Sequence, residues 1–144
     1  MKKQLIPVSA VLMSLLSLAV HADPLPIVPG KYEVVTTAGV LNGKPGEPKK
    51  TTRCLRAAEM SNPDYVFNAR VINAYKPDAT CKVGEPEIKD GKLKYVSDCQ
   101  VEKVTVEGSV SETAYAVTRT AKSKASGGVS LVSTLEGKRI GECQ

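Results

Sequence analysis

The chain has 144 residues, with 20 basic and 15 acidic side chains, four cysteines, one histidine and no tryptophan. This length suits one domain with a single hydrophobic core. The net charge of +5 is small and the lysines are scattered among glutamates, which is typical of a solvated surface. We therefore expect a single-domain protein that binds no nucleic acid.

The first 22 residues have the pattern of a secretory signal peptide. Lys2 and Lys3 precede an uncharged apolar stretch over residues 5–20, and the pattern predicts cleavage between Ala22 and Asp23. An uncleaved anchor is disfavoured, because the apolar stretch is shorter than the about 20 residues of a spanning helix. No cysteine directly follows it, so we expect a soluble periplasmic protein, not a lipoprotein, without a stable membrane anchor.

The mature domain would cover residues 23–144. Loss of Lys2 and Lys3 from the 20 basic residues, against 15 acidic ones, gives it a net charge of +3. His21 leaves with the signal peptide, so Ser-His-Asp catalysis, Cys-His catalysis and imidazole metal sites are excluded.

The cysteines indicate a disulfide framework. Their number is even, the chain is small and exported, and no two cysteines have the CxxC spacing of a zinc site. We therefore expect two disulfides, no metal and no organic cofactor. The four residues are Cys54, Cys81, Cys99 and Cys143.

The N-terminal part of the domain predicts two strands. Residues 23–30 contain three prolines and should form an extended arm. Lys31–Thr37 is rich in β-branched residues and predicts the first strand, with Tyr32 among the residues of one face. Turn dipeptides then fill residues 38–50, and Thr51–Leu55 predicts the return strand.

One or two short helices are expected over Arg56–Tyr75. Ser61 suits an N-cap, Pro63 suits the first helical turn, and an acidic residue follows at position 64. Tyr65, Ala69 and Ile72 would then share one face. The alternative is a loop with apolar anchors.

A hairpin is predicted between Cys81 and Cys99. If Lys89–Gly91 forms a three-residue loop with a G1 bulge, Ile88 faces Lys92. Counting outward from this pair places Cys81 opposite Cys99, which predicts a disulfide between them.

The same count places Lys82 opposite Asp98, an opposite-charge pair. Pro86 indicates an edge strand, because proline cannot donate a ladder hydrogen bond. Beyond the hairpin the apolar positions change parity, which indicates a bulge near Glu102 or Lys103.

The C-terminal part predicts two more strands. Glu107-Gly108 is expected to form a turn, followed by a strand over Ser109–Ala121 in which neither face is strongly apolar. Lys122–Gly128 should be a flexible loop, and Val129–Leu135 the last strand.

These elements indicate a mainly β fold. We expect an antiparallel meander forming a small sandwich or barrel, with one or two short helices and disulfide stabilisation. By elimination the second disulfide joins Cys54 to Cys143, which requires the second strand to lie beside the C-terminal strand.

Several short motifs together resemble a known family. Pro29–Glu33 opens the domain, Cys54-Leu55 ends the second strand, Cys81 and Cys99 bracket a hairpin, and Gly137–Cys143 carries an Arg-apolar-Gly-x-Cys pattern. Their order and spacing resemble domain of unknown function family 3617, small exported proteobacterial proteins with four cysteines. The opening motif departs from the pattern in having tyrosine where tryptophan is expected. The resemblance implies export, paired cysteines and β architecture, but no activity.

Two sequence features would suit a catalytic or binding site. Glu85 and Glu87 would suit a general acid–base pair, although charges that guard an exposed strand edge are the simpler interpretation. The Lys122–Gly128 loop would suit an anion, although a plain hairpin loop is simpler. This loop and the edge near Pro86 are the candidate external binding surfaces, and no ligand-binding residue is assigned.

Two functions follow as hypotheses. The first is a non-enzymatic protein of the cell envelope that binds another envelope component. The alternative is a periplasmic carrier of an apolar small molecule or lipid in a barrel cavity, with Ala114 and Ala116 facing inward to leave room. An enzyme is not expected, because the usual catalytic groups are missing. The identity of the partner and the oligomeric state are left open.

Overall fold

A computed structural model describes residues 25–39, 44–67, 81–125 and 127–144. The predicted signal peptide, the Ala22–Asp23 cleavage site and the later part of the predicted helix, from residue 68 onward, lie outside these residues.

The described residues form a mainly β structure, as predicted. Eight antiparallel strands build one sheet in the order β2-β1-β8-β7-β6-β5-β3, with β4 also paired to β5. A 3-10 turn and one short helix, α1, follow β2. The strands are β1 Gly30–Thr37, β2 Pro48–Leu55, β3 Lys82–Val83, β4 Glu87–Lys89, β5 Lys92–Asp98, β6 Glu102–Val110, β7 Ala114–Ser123 and β8 Ser130–Gly141; the 3-10 turn is Ala57–Ser61 and α1 is Pro63–Phe67.

One face of the sheet holds the core. Alternate residues of the central strands are buried there because side chains project to opposite faces along a strand. Phe67 of α1 packs between Tyr95 of β5 and Tyr115 of β7, with ring centroids 6.3 and 5.4 Å away. The N-terminal arm packs on the same core through Leu25 and Ile27.

The sheet curls around α1. Five strand spacings separate β2 from β5, which in a flat sheet would be about 24 Å. Yet α1, only about 7.5 Å long, bonds to both strands: Arg53 of β2 donates to the Val66 carbonyl at 3.2 Å, and Tyr95 of β5 donates to Asp64 at 2.9 Å. The predicted meander is therefore one curled sheet and not two stacked sheets.

Two inner-face glycines permit close approach within the curled sheet. A Cβ at Gly137 would lie 2.1 Å from Cζ of Tyr115, so the tyrosine ring packs directly over this position. A Cβ at Gly108 would lie 2.1 Å from the Ala116 carbonyl oxygen of β7. The predicted turn at Glu107-Gly108 is therefore wrong, since both residues lie inside β6.

The β6–β7 turn lies at residues 111–113 instead. It is closed by Ser111, whose backbone N–H donates to the Ala114 carbonyl at 2.8 Å and whose Oγ accepts from the Ala114 N–H at 3.1 Å. The turn predicted at Gly108 is therefore formed three residues later, where a serine side chain stabilises it by a hydrogen bond. Similarly, the parity change near Glu102 is a turn and not a bulge, because the Cys99 N–H donates to the Glu102 carbonyl at 2.9 Å.

The hairpin turn is one residue shorter than predicted. Asp90 and Gly91 have φ of 50° and 70°, the signature of a two-residue type I′ turn, so Ile88 faces Leu93 and not Lys92. The link between β3 and β4, residues 84–86, contains one residue more than the facing part of β5, and this extra residue compensates for the shorter turn. Lys82 therefore faces Asp98 as predicted.

Both predicted disulfides are present. Cys81 is bonded to Cys99 and Cys54 to Cys143, with Cα atoms 3.8 and 5.5 Å apart. The expectation that β2 lies beside the C-terminal strand is wrong, because β1 lies between β2 and β8. The Cys54–Cys143 disulfide therefore joins β2 to the end of the chain across the start of β1. At that point Lys31 of β1 pairs with Cys54 on one side and with Gly141 on the other.

Candidate functional site

The most polar part of the interior is a carboxylate held between α1 and β5. Asp64 lies in the first turn of α1, directly after Pro63. The Asp64 N–H donates to Oδ1 of Asn62 at 3.0 Å, so Asn62 caps this turn in place of the predicted Ser61. Asp64 is only 6% exposed. Tyr95 Oη donates to its Oδ1 and Ser97 Oγ to its Oδ2, both at 2.9 Å.

This arrangement fixes the protonation of Tyr95. Burial, with the nearby negative charge of Asp64 and the hydrogen bond to it, raises the pKa of Tyr95 well above its usual value, although Arg119 opposes the shift. Tyr95 therefore acts as a hydrogen-bond donor, and both Asp64 carboxylate oxygens are engaged. The group anchors α1 to the sheet.

A partly buried ion pair contributes to the electrostatics of Tyr95. Arg119 of β7 is 3% exposed, and its Nη2 lies 3.1 Å from Glu102 Oε1 at the start of β6. Arg119 Nε has no hydrogen-bond partner among the described residues. A guanidinium buried with one carboxylate stabilises the local packing only while both partners are present.

A third polar contact holds the opposite end of α1. Arg53 donates through Nη1 to the Val66 carbonyl and through Nη2 to the Tyr65 carbonyl. Burial lowers the pKa of Arg53, while Tyr115 and Glu59 favour its charged form. The interior polar groups thus bond α1 to both β2 and β5.

The outer face of the sheet carries a groove of about 500 Å³. Lys94 of β5 and Glu107 of β6 are cross-strand partners along it, with Lys94 Nζ 3.6 Å from Glu107 Oε2. A smaller cavity of about 230 Å³ lies beside the Cys54–Cys143 bridge. The groove is lined by Lys92, Leu93, Lys94, Glu107, Gly108, Ser109 and Ala116.

One end of the sheet gathers lysines on its outer face. Lys82, Asp98, Lys103 and Lys122 are consecutive cross-strand partners on β3, β5, β6 and β7. Lys124 Nζ lies 2.5 Å from Asp98 Oδ1. The hydrogen bond and charge of Lys124, with Lys103 and Lys82 adding to them, lower the pKa of Asp98.

The candidate acid–base pair, Glu85 and Glu87, is not brought together in a cleft. Glu87 lies in β4 opposite Lys94, and Glu85 lies in the irregular link before it; both are exposed. Ala116, expected to face inward, is exposed on the outer face, and Ala114 is only half-buried. The inner positions of β7 belong instead to larger side chains, including Tyr115 and Arg119.

The Lys122–Gly128 segment differs from its predicted loop. β7 continues to Ser123, so Lys122 is a strand residue beside Lys103. The sequence does not indicate the group of lysines at this end of the sheet, because its members are far apart along the chain. Sequence reasoning also missed Arg119, for which the only sequence signal was a charged residue at an alternating position of a strand.

Two structural observations bear on possible sites. In the described part of the chain, no three histidine, cysteine, aspartate or glutamate residues are grouped so that they could hold a metal ion. None of the helices described here has the length and apolar character needed to cross a membrane.

Comparison with known proteins identifies the class of this chain. A family model described as a protein of unknown function, DUF3617, matches residues 27–143. The chain therefore belongs to this family, as its motifs indicated. No curated protein sequence and no solved structure matches it.

Proposed function

We propose that the protein is exported to the periplasm and acts there as a non-enzymatic binding protein of the cell envelope. The signal-peptide pattern of the first 22 residues supports export. The disulfides support it too, because such bridges persist in oxidising compartments.

The observation that carries the binding role is the internal pairing of the buried polar groups. Asp64 accepts from Tyr95 and Ser97, and Arg119 pairs with Glu102. A general acid or base must reach the proton that it transfers, whereas these groups bond to one another: Asp64 of α1 to β5, and Arg119 of β7 to Glu102 of β6. The surface offered to a partner is then the outer face and the ends of the sheet.

The side chains of β7 favour external binding over the carrier alternative. Small inward residues on β7 would leave room for a ligand, but Ala116 is exposed and the buried positions of that strand include Tyr115, Val117 and Arg119. Phe67 of α1 also packs into the concave side of the sheet. We therefore favour binding at the outside of the molecule.

Export is tested by expressing the full chain in a Gram-negative host and releasing the periplasm by osmotic shock. The expected product is Asp23–Gln144 with an intact mass four hydrogens below that of the reduced chain, because both disulfides are formed. A chain that stays reduced in the cytoplasm would contradict export, and an exported chain that keeps the first 22 residues would contradict cleavage after Ala22.

The mode of binding is tested by native mass spectrometry of protein taken directly from the periplasm. We expect the mass of the polypeptide alone. A stoichiometric lipid or other hydrophobic adduct that survives delipidating washes would overturn external binding and favour the carrier.

A further inference from the structure

We propose that the lysine end of the sheet docks on the surface of an anionic lipid bilayer. The lysine end is defined as Lys82, Lys103, Lys122 and Lys124 together with the two loop valines, Val101 and Val129. This proposal deepens the proposed function, since an anionic leaflet would be the envelope component that the protein binds.

The strand register builds the charged part of this surface. Lys103 of β6 lies opposite Asp98 on one side and opposite Lys122 on the other. With strands about 4.8 Å apart, the row from Lys82 to Lys122 is about 14 Å long. Asp98 is its one carboxylate, and Lys124 holds it at 2.5 Å. Positive charge is therefore in excess along the row.

Two exposed valines stand at the tip of the same end. Val101 is 67% exposed and Val129 is 71% exposed. Their loops are adjacent, because Lys124 N–H donates to the Val101 carbonyl at 2.9 Å and Ser123 N–H donates to the Val129 carbonyl at 3.3 Å. Backbone hydrogen bonds therefore hold both loops in place, so that the two valine side chains are exposed to solvent beside the lysines.

The Cys81–Cys99 bridge fixes this end further. Cys99 is buried and its N–H bonds to the Glu102 carbonyl, so the turn that carries Val101 is tied to both β3 and β6. A fixed turn exposes its valine without the entropy loss that a mobile loop would incur on binding.

This combination of groups favours a bilayer. Apolar side chains can enter the boundary between headgroups and acyl chains, while basic side chains beside them attract anionic headgroups. Single-stranded nucleic-acid sites instead use aromatic side chains for base stacking, and the lysine end has none among its described residues. Four of the aromatic rings lie in the core, namely Tyr32, Phe67, Tyr95 and Tyr115.

The test is vesicle flotation with the oxidised protein purified from cells that express the full chain. Vesicles of phosphatidylcholine alone are compared with vesicles of phosphatidylcholine mixed with phosphatidylglycerol. We expect binding to the mixed vesicles only, weakened by high salt, because exposed charges are screened. Equal binding to both vesicles, or binding to neither, would overturn the proposal.

Matched variants locate the surface. Lys122→Glu should weaken binding to the mixed vesicles by about tenfold or more, since it removes one positive charge and adds a negative one. Lys89→Glu makes the same change beside another lysine, Lys92, about 20 Å away along β5, and should bind as the wild type does. If Lys89→Glu weakens binding as much as Lys122→Glu, the lysine end is not the contact.

The valines are tested by the double variant V101S/V129S. It should weaken binding to mixed vesicles at high salt more than at low salt, because the apolar contribution dominates when charge is screened. Unchanged binding of this variant would overturn insertion of the tip. Equal affinity of the wild type for duplex DNA at the same salt would show a general polyanion site instead.

The outcomes of the vesicle tests and of the export test are independent of each other. Purified protein can bind vesicles whether or not the cell exports it, and an exported protein can fail to bind them. Absence of vesicle binding thus overturns only the bilayer proposal, whereas retention in the cytoplasm overturns only the envelope role.

Discussion

Lys103 and Lys122 lie directly opposite each other in the antiparallel pair of β6 and β7. Both side chains are exposed on the outer face. Like charges at directly opposed positions destabilise a sheet, so packing does not explain this pair. A surface that must attract negative charge does explain it.

Lys122→Glu should stabilise the isolated protein. The new glutamate would face Lys103 on β6 and the neutral Ser130 on β8, so repulsion becomes attraction. We expect the free energy of unfolding to rise by about 0.5 kcal/mol at low salt, and the gain to shrink at high salt. Urea denaturation at two salt concentrations measures it. A loss of stability at both concentrations would contradict the register that places these lysines together.

Asp64→Ala should destabilise the protein strongly. It removes a carboxylate and leaves the buried hydroxyls of Tyr95 and Ser97 without their acceptor. We expect the free energy of unfolding in guanidinium to fall by about 3 kcal/mol, whereas Tyr95→Phe alone should cost about 1.5 kcal/mol.

A double-mutant cycle supplies the control for this prediction. If Asp64 and Tyr95 interact as described, the combined variant should lose less than the two single variants added together. Additive losses would show that the two side chains stabilise the protein independently.

Tyr115 should make stability fall at alkaline pH. Burial raises the pKa of Tyr115 to about 12, with Arg53 opposing the shift. In the unfolded chain this hydroxyl loses its proton near pH 10, so its contribution to stability is complete below that pH and is lost as pH rises towards 12. We expect a loss of about 1 kcal/mol at about pH 11.

Tyr115→Phe tests the cause of this loss. The Tyr115 hydroxyl has no hydrogen-bond partner among the described residues, so phenylalanine should fit without loss at neutral pH. The difference in unfolding free energy between about pH 8 and about pH 11 should be about 1 kcal/mol smaller in the variant than in the wild type. An equal difference in both proteins would assign the alkaline loss to other groups.

The two disulfides should contribute unequally. They close loops with sequence separations of 89 and 18 residues. Chain entropy then predicts a loss of about 4.5 kcal/mol for C54A/C143A and about 3 kcal/mol for C81A/C99A. Guanidinium denaturation of the two double variants compares them, and the reverse order would contradict the entropic account.

Hydrogen exchange should also distinguish the bridges. Cys143 ties the chain to β2 just beyond the end of β8. Without this bridge the last amides of β8 should lose protection, because chain ends fray unless they are held. The same amides should be unaffected in C81A/C99A.

The sequence predicted the Lys82–Asp98 pairing through two errors that cancel. The assumed three-residue loop is a two-residue type I′ turn, and one extra residue lies at 84–86. Asp-Gly suits both two-residue and three-residue turns, so the residue types alone do not determine the length of this turn. The disulfide pairing survived because it depends on the total count of residues and not on where the extra residue lies.

Other features depend on contacts that local patterns do not contain. Gly108 was expected in a turn, but it lies inside a strand where the backbone of β7 approaches closely. Asp64 and Tyr95 are 31 residues apart, and their hydrogen bond requires the sheet to curl around α1. The lysine end likewise exists only once the register of four strands is known.

The central claim is that the lysine end contacts an anionic bilayer, and amide chemical-shift mapping of the isotope-labelled protein tests it most directly. Spectra are recorded with lipid nanodiscs of phosphatidylcholine and of phosphatidylcholine mixed with phosphatidylglycerol. We predict that the mixed nanodiscs shift or broaden the amides of Val101, Lys103, Lys124 and Val129, and that the neutral ones do not. Changes centred on the Asp90-Gly91 turn, at the opposite end of β5, would contradict the account.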